Sequence, residues 1–330
     1  MSSLFFLLVF MLVALFVYLG RYSGRVAAEA ERFIAAPPEA VRAEVADLAR
    51  WQAWNPWLEH ARDPRAATAD GDQLAWDVPQ VGRARVTALK PPAPGALRQR
   101  MAFALPFAFK GRSDWRFEPV PGGTRVSWRF KGRVAFTLRA FAATVQGATA
   151  LDLRFGLDRL AAVLEATPPA YRLDYAGVQA LPAGLCVQQP LRAGLDALAT
   201  ELPAQIAGMR ERLRAAGLAA DGPAVVHYLR TQLKRRTVDG RVGVELPAGA
   251  PAPALPEGFA VHEQPAQSAY LLRFDGPPEA LELAWYQAMQ RLRVEQREPH
   301  PQRPPFARYL ADPAPGRAGP VELLLPLKPA

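Results

Sequence analysis

The stretch IAAPPEAVRAEVADLARWQAWNPW (34–57) sets the architecture of the first half of the chain. Pro37 and Pro38 are tolerated at the start of a helix, and Glu39 suits the positive end of its dipole. Val41, Val45, Leu48 and Trp51 then follow one apolar face at helical spacing. Asn55-Pro56 is a turn signal. Trp51, Trp54, Asn55 and Trp57 either line a ligand mouth or form a packed corner of the first helices. Beyond them the helical pattern is lost. Residues 73–78, 82–89, 97–103, 113–117 and 124–130 read as short strands divided by Pro/Gly-rich breaks at 91–95 and 121–123, which predicts an antiparallel sheet. Asp114 and Glu118 are strand-spaced and expected at the solvent side. Helical spacing returns at Leu153, Leu157, Leu160 and Leu164, and Pro168-Pro169 ends it.

Upstream, Leu4–Leu19 carries no charge and is rich in Leu, Phe and Val. With Gly20 and the opening serines it reaches the length of about 17–20 residues that a membrane-spanning helix needs. No Lys or Arg precedes the run, as a secretory signal would require. The reading is an uncleaved transmembrane anchor that touches membrane lipid. Arg21 and Arg25 follow the span, so the positive-inside rule puts the remaining chain on the cytoplasmic side of an inner (plasma) membrane crossed once.

The second half contains an internal repeat. LPAGLCV (181–187) parallels QPAQSAY (264–270), GPAVVHYL (222–229) parallels RPPFARYL (303–310), and VGVELP (242–247) parallels VELLLP (321–326). Between these words lie helix-compatible stretches, 194–216 and 278–294. Each unit reads as strand, helix, strand, strand. Two such units would pair about a pseudo-twofold axis and leave a groove between them. The alignment sets Tyr228 against Tyr309 and Gly243 against Glu322.

The first half resembles the START-like superfamily, also called SRPBCC or polyketide cyclase/dehydrase-like proteins. The words that carry the resemblance are 34–57, VGRARVTAL (81–89), DWRFEPVPGGTRVSW (114–128) and LRFGLDRLAAVLEA (153–166). It implies a curved sheet around a long C-terminal helix, with an apolar cavity for a hydrophobic ligand. The second half resembles the GyrI-like small-molecule-binding domain, the effector-binding domain of bacterial multidrug-responsive activators. FAVHEQPAQSAYLLRFDGPPEALELAWYQAMQRL (259–292), FARYLADP (306–313) and VELLLPLK (321–328) carry it. It implies an acidic groove residue four positions before the last strand's proline, here Glu322. Tyr228, Tyr309 and Trp285 are the rings that could hold a cation beside that acid. Relatives usually attach this domain to a DNA-binding helix-turn-helix; none is legible here, and no nucleic acid is expected. Some relatives are hydrolases with a groove acid as base, a role open to Glu322.

The expected fold is α+β: a transmembrane anchor (1–24), a helix-grip sheet around a long helix (25–166), a linker (167–174) and a duplicated βαββ domain with a central groove (175–330). Composition narrows the chemistry. The chain has 330 residues, is 50% hydrophobic and 22% charged, and carries a net charge of +9, enough apolar content for real cores and a preference for an anionic neighbour. The single cysteine, Cys186, excludes an intramolecular disulfide and every multi-cysteine metal cluster. His60, His227, His262 and His300 show no metal-ligand spacing, so neither metal nor cofactor is expected. The phosphate-loop, dinucleotide, zinc-protease and serine-hydrolase signatures are absent. The run Lys234-Arg235-Arg236 reads either as a phosphate contact or as a solvated strand end. The functional expectation is a membrane-anchored binding protein for a hydrophobic or cationic small molecule, with a hydrolase acting through Glu322 as the alternative.

Overall fold

In the computed structural model the chain divides into two units, Met1–Pro169 and Ala170–Ala330. The structure describes residues 2–61, 67–105, 108–232, 235–247, 254–314 and 316–329.

The first unit opens with helix α1 (Ser2–Gly20). It corrects the anchor expected here: among the described residues no helix is long and apolar enough to cross a membrane. The uncharged run Leu4–Leu19 rises only about 24 Å at about 1.5 Å per residue, short of a hydrocarbon core of about 30 Å. Its last turns also pack on the unit itself. Leu19 is buried and Phe16 stacks on Phe136 at 4.8 Å. The single-pass inner-membrane localisation, its orientation and the lipid contact through this helix therefore fall.

Strand β1 (Arg25–Ile34) leads into α2 (Pro38–Ala46), which starts at Pro38 as its proline and Glu39 predict. Two 3-10 turns follow, Leu48–Ala53 and Pro56–Leu58, capped by the Asp47 and Asn55 side chains. Then come β2 (Ala67–Asp70), β3 (Gln73–Val78), β4 (Gly82–Leu89), β5 (Leu97–Leu105), β6 (Phe109–Val120) and β7 (Gly123–Val134). They form one antiparallel sheet in the order β1-β7-β6-β5-β4-β3-β2. The long helix α3 (Ala142–Glu165) lies against β1, with Leu153, Leu157 and Leu160 buried. Arg32 on β1 pairs with Asp158 on α3. Gly156 lets the helix approach the sheet: a Cβ there would sit 2.7 Å from Trp128 Cζ3.

The second unit begins with β8 (Arg172–Leu181), which starts inside the stretch expected as linker. The repeat follows as β9 (Gly184–Gly194), α4 (Leu195–Ala215), β10 (Ala224–Gln232), β11 (Thr237–Glu245), then β12 (Ala260–Gln264), β13 (Gln267–Asp275), α5 (Leu281–Val294), β14 (Phe306–Tyr309) and β15 (Val321–Pro326). The strand order is β12-β9-β11-β10-β14-β15-β13-β8. It reads symmetrically from its centre, and each half is closed by the leading strand of the other. β12 pairs with β9, and β8 with β13, so the two units of the repeat exchange their first strands.

Side-chain alternation gives this sheet two unlike faces. Val226, Tyr270, Leu272, Tyr309, Val321, Leu323 and Leu325 point to the first face and bury against α4 and α5. Cys186, Val225, Ala269, Leu271, Phe306 and Leu324 point to the second. The pairing also corrects the repeat alignment in its last strand. Val225 faces Gly243, whereas its counterpart Phe306 faces Leu324. Gly243 therefore corresponds to Leu324, and Glu322 to Arg241. A slip of two residues preserves the alternation, so apolar pattern alone does not reveal it.

Candidate functional site

Inside the first unit, four fully buried indoles stand together: Trp51, Trp54, Trp115 and Trp128. Trp115 and Trp128 stack at 4.1 Å, and Trp51 and Trp54 lie 4.6 Å apart. Three of them have partners for their ring N–H. Trp51 Nε1 donates to the Val45 carbonyl at 2.9 Å, Trp115 Nε1 to Gln99 Oε1 at 2.9 Å, and Trp128 Nε1 to Ser113 Oγ. Trp54 Nε1 is buried with no partner, as is Asn55 Nδ2. A buried donor left unpaired costs about 1–3 kcal/mol unless something fills its place. Further along, Trp57, Trp76, Phe103 and Phe109 make a second aromatic group. Trp57 lies parallel to Trp76 at 6.1 Å, and Phe103 on Phe109 at 4.3 Å. Trp57, Phe103 and Phe109 keep part of their surface open, and Trp57 Nε1 donates to Asp152 Oδ2 on α3 at 2.9 Å. The Trp-rich turn is thus packed corner at Trp51 and Trp54 and accessible ring at Trp57.

In the second unit the structure brings together three of the four expected site residues. Tyr228, Tyr309 and Trp285 all lie on the helix face. Tyr228 and Trp285 meet edge to face at 5.3 Å. Burial pushes the Tyr228 hydroxyl up to about 12, against a smaller opposite effect of Trp285 and Tyr309, and pushes Tyr309 well above the ordinary tyrosine value. Both stay protonated. Glu322 is on the opposite face, because it alternates with Val321 and Leu323. The rings and the acid do not form one cage.

Glu322 belongs to a run of ion pairs across the second face. Its side chain is 12% exposed, and its two oxygens meet Arg273 Nε at 3.3 Å and Arg308 Nη1 at 3.2 Å. Arg308 also holds Glu245 at 2.8 Å, and Arg273 holds Asp174 at 3.5 Å. Sequence reading missed both arginines, which reach Glu322 only through strand pairing.

The other half of this face carries Gln188, His227, His262 and Cys186. Gln188 on β9 reaches across β11 to His227 Nδ1 on β10 at 2.7 Å. It passes over Gly243, where a Cβ would lie 2.6 Å from Gln188 Cγ and 2.4 Å from the Val187 carbonyl oxygen. Gln188 Oε1 is buried without a partner. The His227 ring stacks on Phe306 at 5.0 Å and meets His262 edge-on at 5.3 Å. Burial pulls His227 down to about 4, aided by His262 and Arg241. Burial and then Arg241 pull His262 down as well. Burial pushes the Cys186 thiol up to about 12, so it stays protonated and inert. Among the described residues no group of three or more His, Cys, Asp or Glu side chains could hold a metal ion. Lys234 of the basic run lies outside the described residues, and Arg236 is taken by Asp196 at 2.6 Å and Glu282 at 3.3 Å.

Residues 25–165 are the antiparallel sheet that grips the long helix α3. That stretch matches the family described as "Polyketide cyclase / dehydrase and lipid transport", a fold that generally binds small hydrophobic molecules. Similar solved structures include a START superfamily protein from Mycobacterium smegmatis, 20% identical over 43% of this chain and 97% of that one, with a TM-score of 0.32. A protein from Thermus thermophilus is 20% identical over 42% of this chain and 97% of its own, with a TM-score of 0.31. The EcmrR protein in a complex with DNA is 15% identical over 58% of this chain and 70% of its own, with a TM-score of 0.37. At these scores the likenesses carry no argument about activity. No curated protein matches the chain.

Proposed function

We propose that the protein binds small molecules in two modules. The first takes an apolar ligand between the START-like sheet and α3. The observation that carries this is the buried, unpaired Trp54 Nε1, whose ring meets Trp128, which in turn meets the half-open ring of Trp57 beside Phe103. A ligand with one oxygen acceptor on a flat apolar body would satisfy that N–H and lie against the rings. Fluorescence titration of the full chain with a naphthyl ketone and its hydrocarbon counterpart tests this. Trp57→Ala should weaken both by about tenfold through lost ring contact. Trp54→Phe should weaken only the ketone, by the several-fold worth of one buried hydrogen bond. If neither substitution changes either titration, the module does not work in this way.

The second module is a GyrI-like groove domain in this proposal. Its support is the repeat with exchanged leading strands and a second sheet face that gathers Phe306, Leu324 and Leu271 with charged and polar groups. On this reading the groove lies on the face of Glu322, and Tyr228, Tyr309 and Trp285 serve the core behind it. The hydrolase alternative is the weaker reading, because Arg273 and Arg308 occupy the carboxylate that would act as base.

A further inference from the structure

Charge is distributed unequally between the two halves of the second face. Asp174, Arg273, Glu322 and Arg308 in one half form a continuous run of ion pairs that ends on Glu245 of β11, and each arginine touches two acids. Glu322 has no charge to spare for a ligand cation. In the other half, Arg241 occupies the position that corresponds to Glu322. It stands opposite His227, as Glu322 stands opposite Arg308. Arg241 is exposed and makes no ion pair among the described residues. The acid two positions away on its own strand face, Asp239, is held by Arg192 at 3.6 Å, and Glu245 is held by Arg308.

We infer that this groove takes the anionic end of an amphipathic ligand, a carboxylate held at Arg241 beside His227 and His262, above a floor of buried Phe306, Leu324 and Leu271. The inference rests on the groove reading of the second module and reverses the ligand charge that the sequence suggests. By pairing, these residues run across the sheet away from Arg241: His227 faces Arg241, Phe306 faces both His227 and Leu324, and Leu324 faces Leu271. His262 is half-exposed on the edge strand β12, which gives the buried His227 a route to solvent. Gln188 adds a polar group with one atom unpaired. Rotating its amide by half a turn lets Oε1 accept from His227 Nδ1–H and frees the NH2 to donate to an anion. Binding would also act back on the histidines. A carboxylate at Arg241 offsets the positive charge that helps keep both imidazoles neutral, so the rings should gain protons more readily.

The test titrates the full chain with octanoate, octylammonium and octanol, reading the ring signals of His227 and His262 by NMR. These signals report the second unit alone, whatever the first unit binds. Octanoate should produce saturable shifts, raise both imidazole pKa values and bind about tenfold more tightly than octanol, with octylammonium weakest. Arg241→Gln should erase the difference between octanoate and octanol, Arg241→Lys should restore part of it, and Arg214→Gln, on α4 away from this face, should leave it intact. Equal binding of all three, or a preference for octylammonium, overturns the anion inference and leaves the groove standing. Absence of saturable shifts with all three overturns the groove itself and the inference with it.

Discussion

His227 should make the second unit lose stability in mild acid. The ring is 4% exposed, and its pKa is about 4 in the folded chain against an ordinary 6.5. Its neutral form is therefore the one the fold accommodates. Between these two values the unfolded chain binds a proton that the folded chain refuses, so stability falls as pH falls. The contribution is fully present above pH 6.5 and is lost progressively toward pH 4. One pKa unit corresponds to about 1.36 kcal/mol, so the loss is roughly 2 kcal/mol by pH 5 and about 3 kcal/mol when complete. The groups facing the ring are Gln188, Phe306, His262 and Arg241. None is an acid, so none offsets a charge on the imidazole. Urea unfolding of the full chain, followed by the ring signals of His227 and His262, measures this between pH 7 and pH 5. His227→Asn keeps an amide near the position of Nδ1 and cannot titrate, so it should remove most of the slope. His262 contributes in the same direction, and His262→Gln separates it. Parallel losses in the wild type and in His227→Asn would refute the reasoning.

Three other outcomes are expected. Gly156→Ala gains about 1 kcal/mol of helix propensity but drives a methyl into Trp128, an overpacking cost of about 1–3 kcal/mol; the midpoint of thermal unfolding by tryptophan fluorescence should drop by a few degrees. A rise would mean that the indole layer can shift. Glu322→Gln should cost only about 1 kcal/mol, because Arg308 and Arg273 each keep a second acid, and should leave the affinity of lipophilic cations unchanged by calorimetry. A tenfold loss of cation affinity would restore the cation-site reading. Expressed separately, residues 25–169 and 170–330 should each unfold cooperatively in urea; failure of both would show that neither unit holds its core alone.

The first unit was legible because its signals are local. Pro38 and Glu39 start α2, Asn55 caps a turn, and the leucines of α3 keep helical spacing. The family resemblance drawn from those words is matched over residues 25–165. Strand β2, with its four residues Ala67–Asp70, has no such signal and takes its conformation from pairing with β3. The site of the second unit was only partly legible. The alternation of β15 correctly separates Glu322 and Leu324 from Leu323 and Leu325. It cannot say which face the rings of Tyr228 and Tyr309 share, since that depends on the register of β14 with β15. Arg273, Arg308, Gln188 and His227 are far apart in sequence and meet only across strands. The apolar run at the N-terminus is uncharged, but absence of charge without sufficient length does not make a membrane span.

The two-residue correction in the repeat changes the chemistry more than the fold. With Gly243 set against Glu322, the halves differ by an acid and a missing side chain, and a cation site follows naturally. With Arg241 in that place, equivalent backbone positions carry opposite charges. Glu322 faces an arginine that neutralises it, while Arg241 faces a histidine that burial keeps uncharged. A charged partner on one side and a neutral one on the other leaves the surplus at Arg241. Gly243 makes that neutral partner possible: without a side chain at this point, Gln188 crosses β11 and fixes the imidazole through Nδ1. A Cβ at Gly243 would push Gln188 away and loosen His227, its nearest contacts being the Val187 carbonyl oxygen, Gln188 Cγ and Cys186 Sγ. The polarity of this sheet face thus depends on a missing side chain as much as on its charged ones.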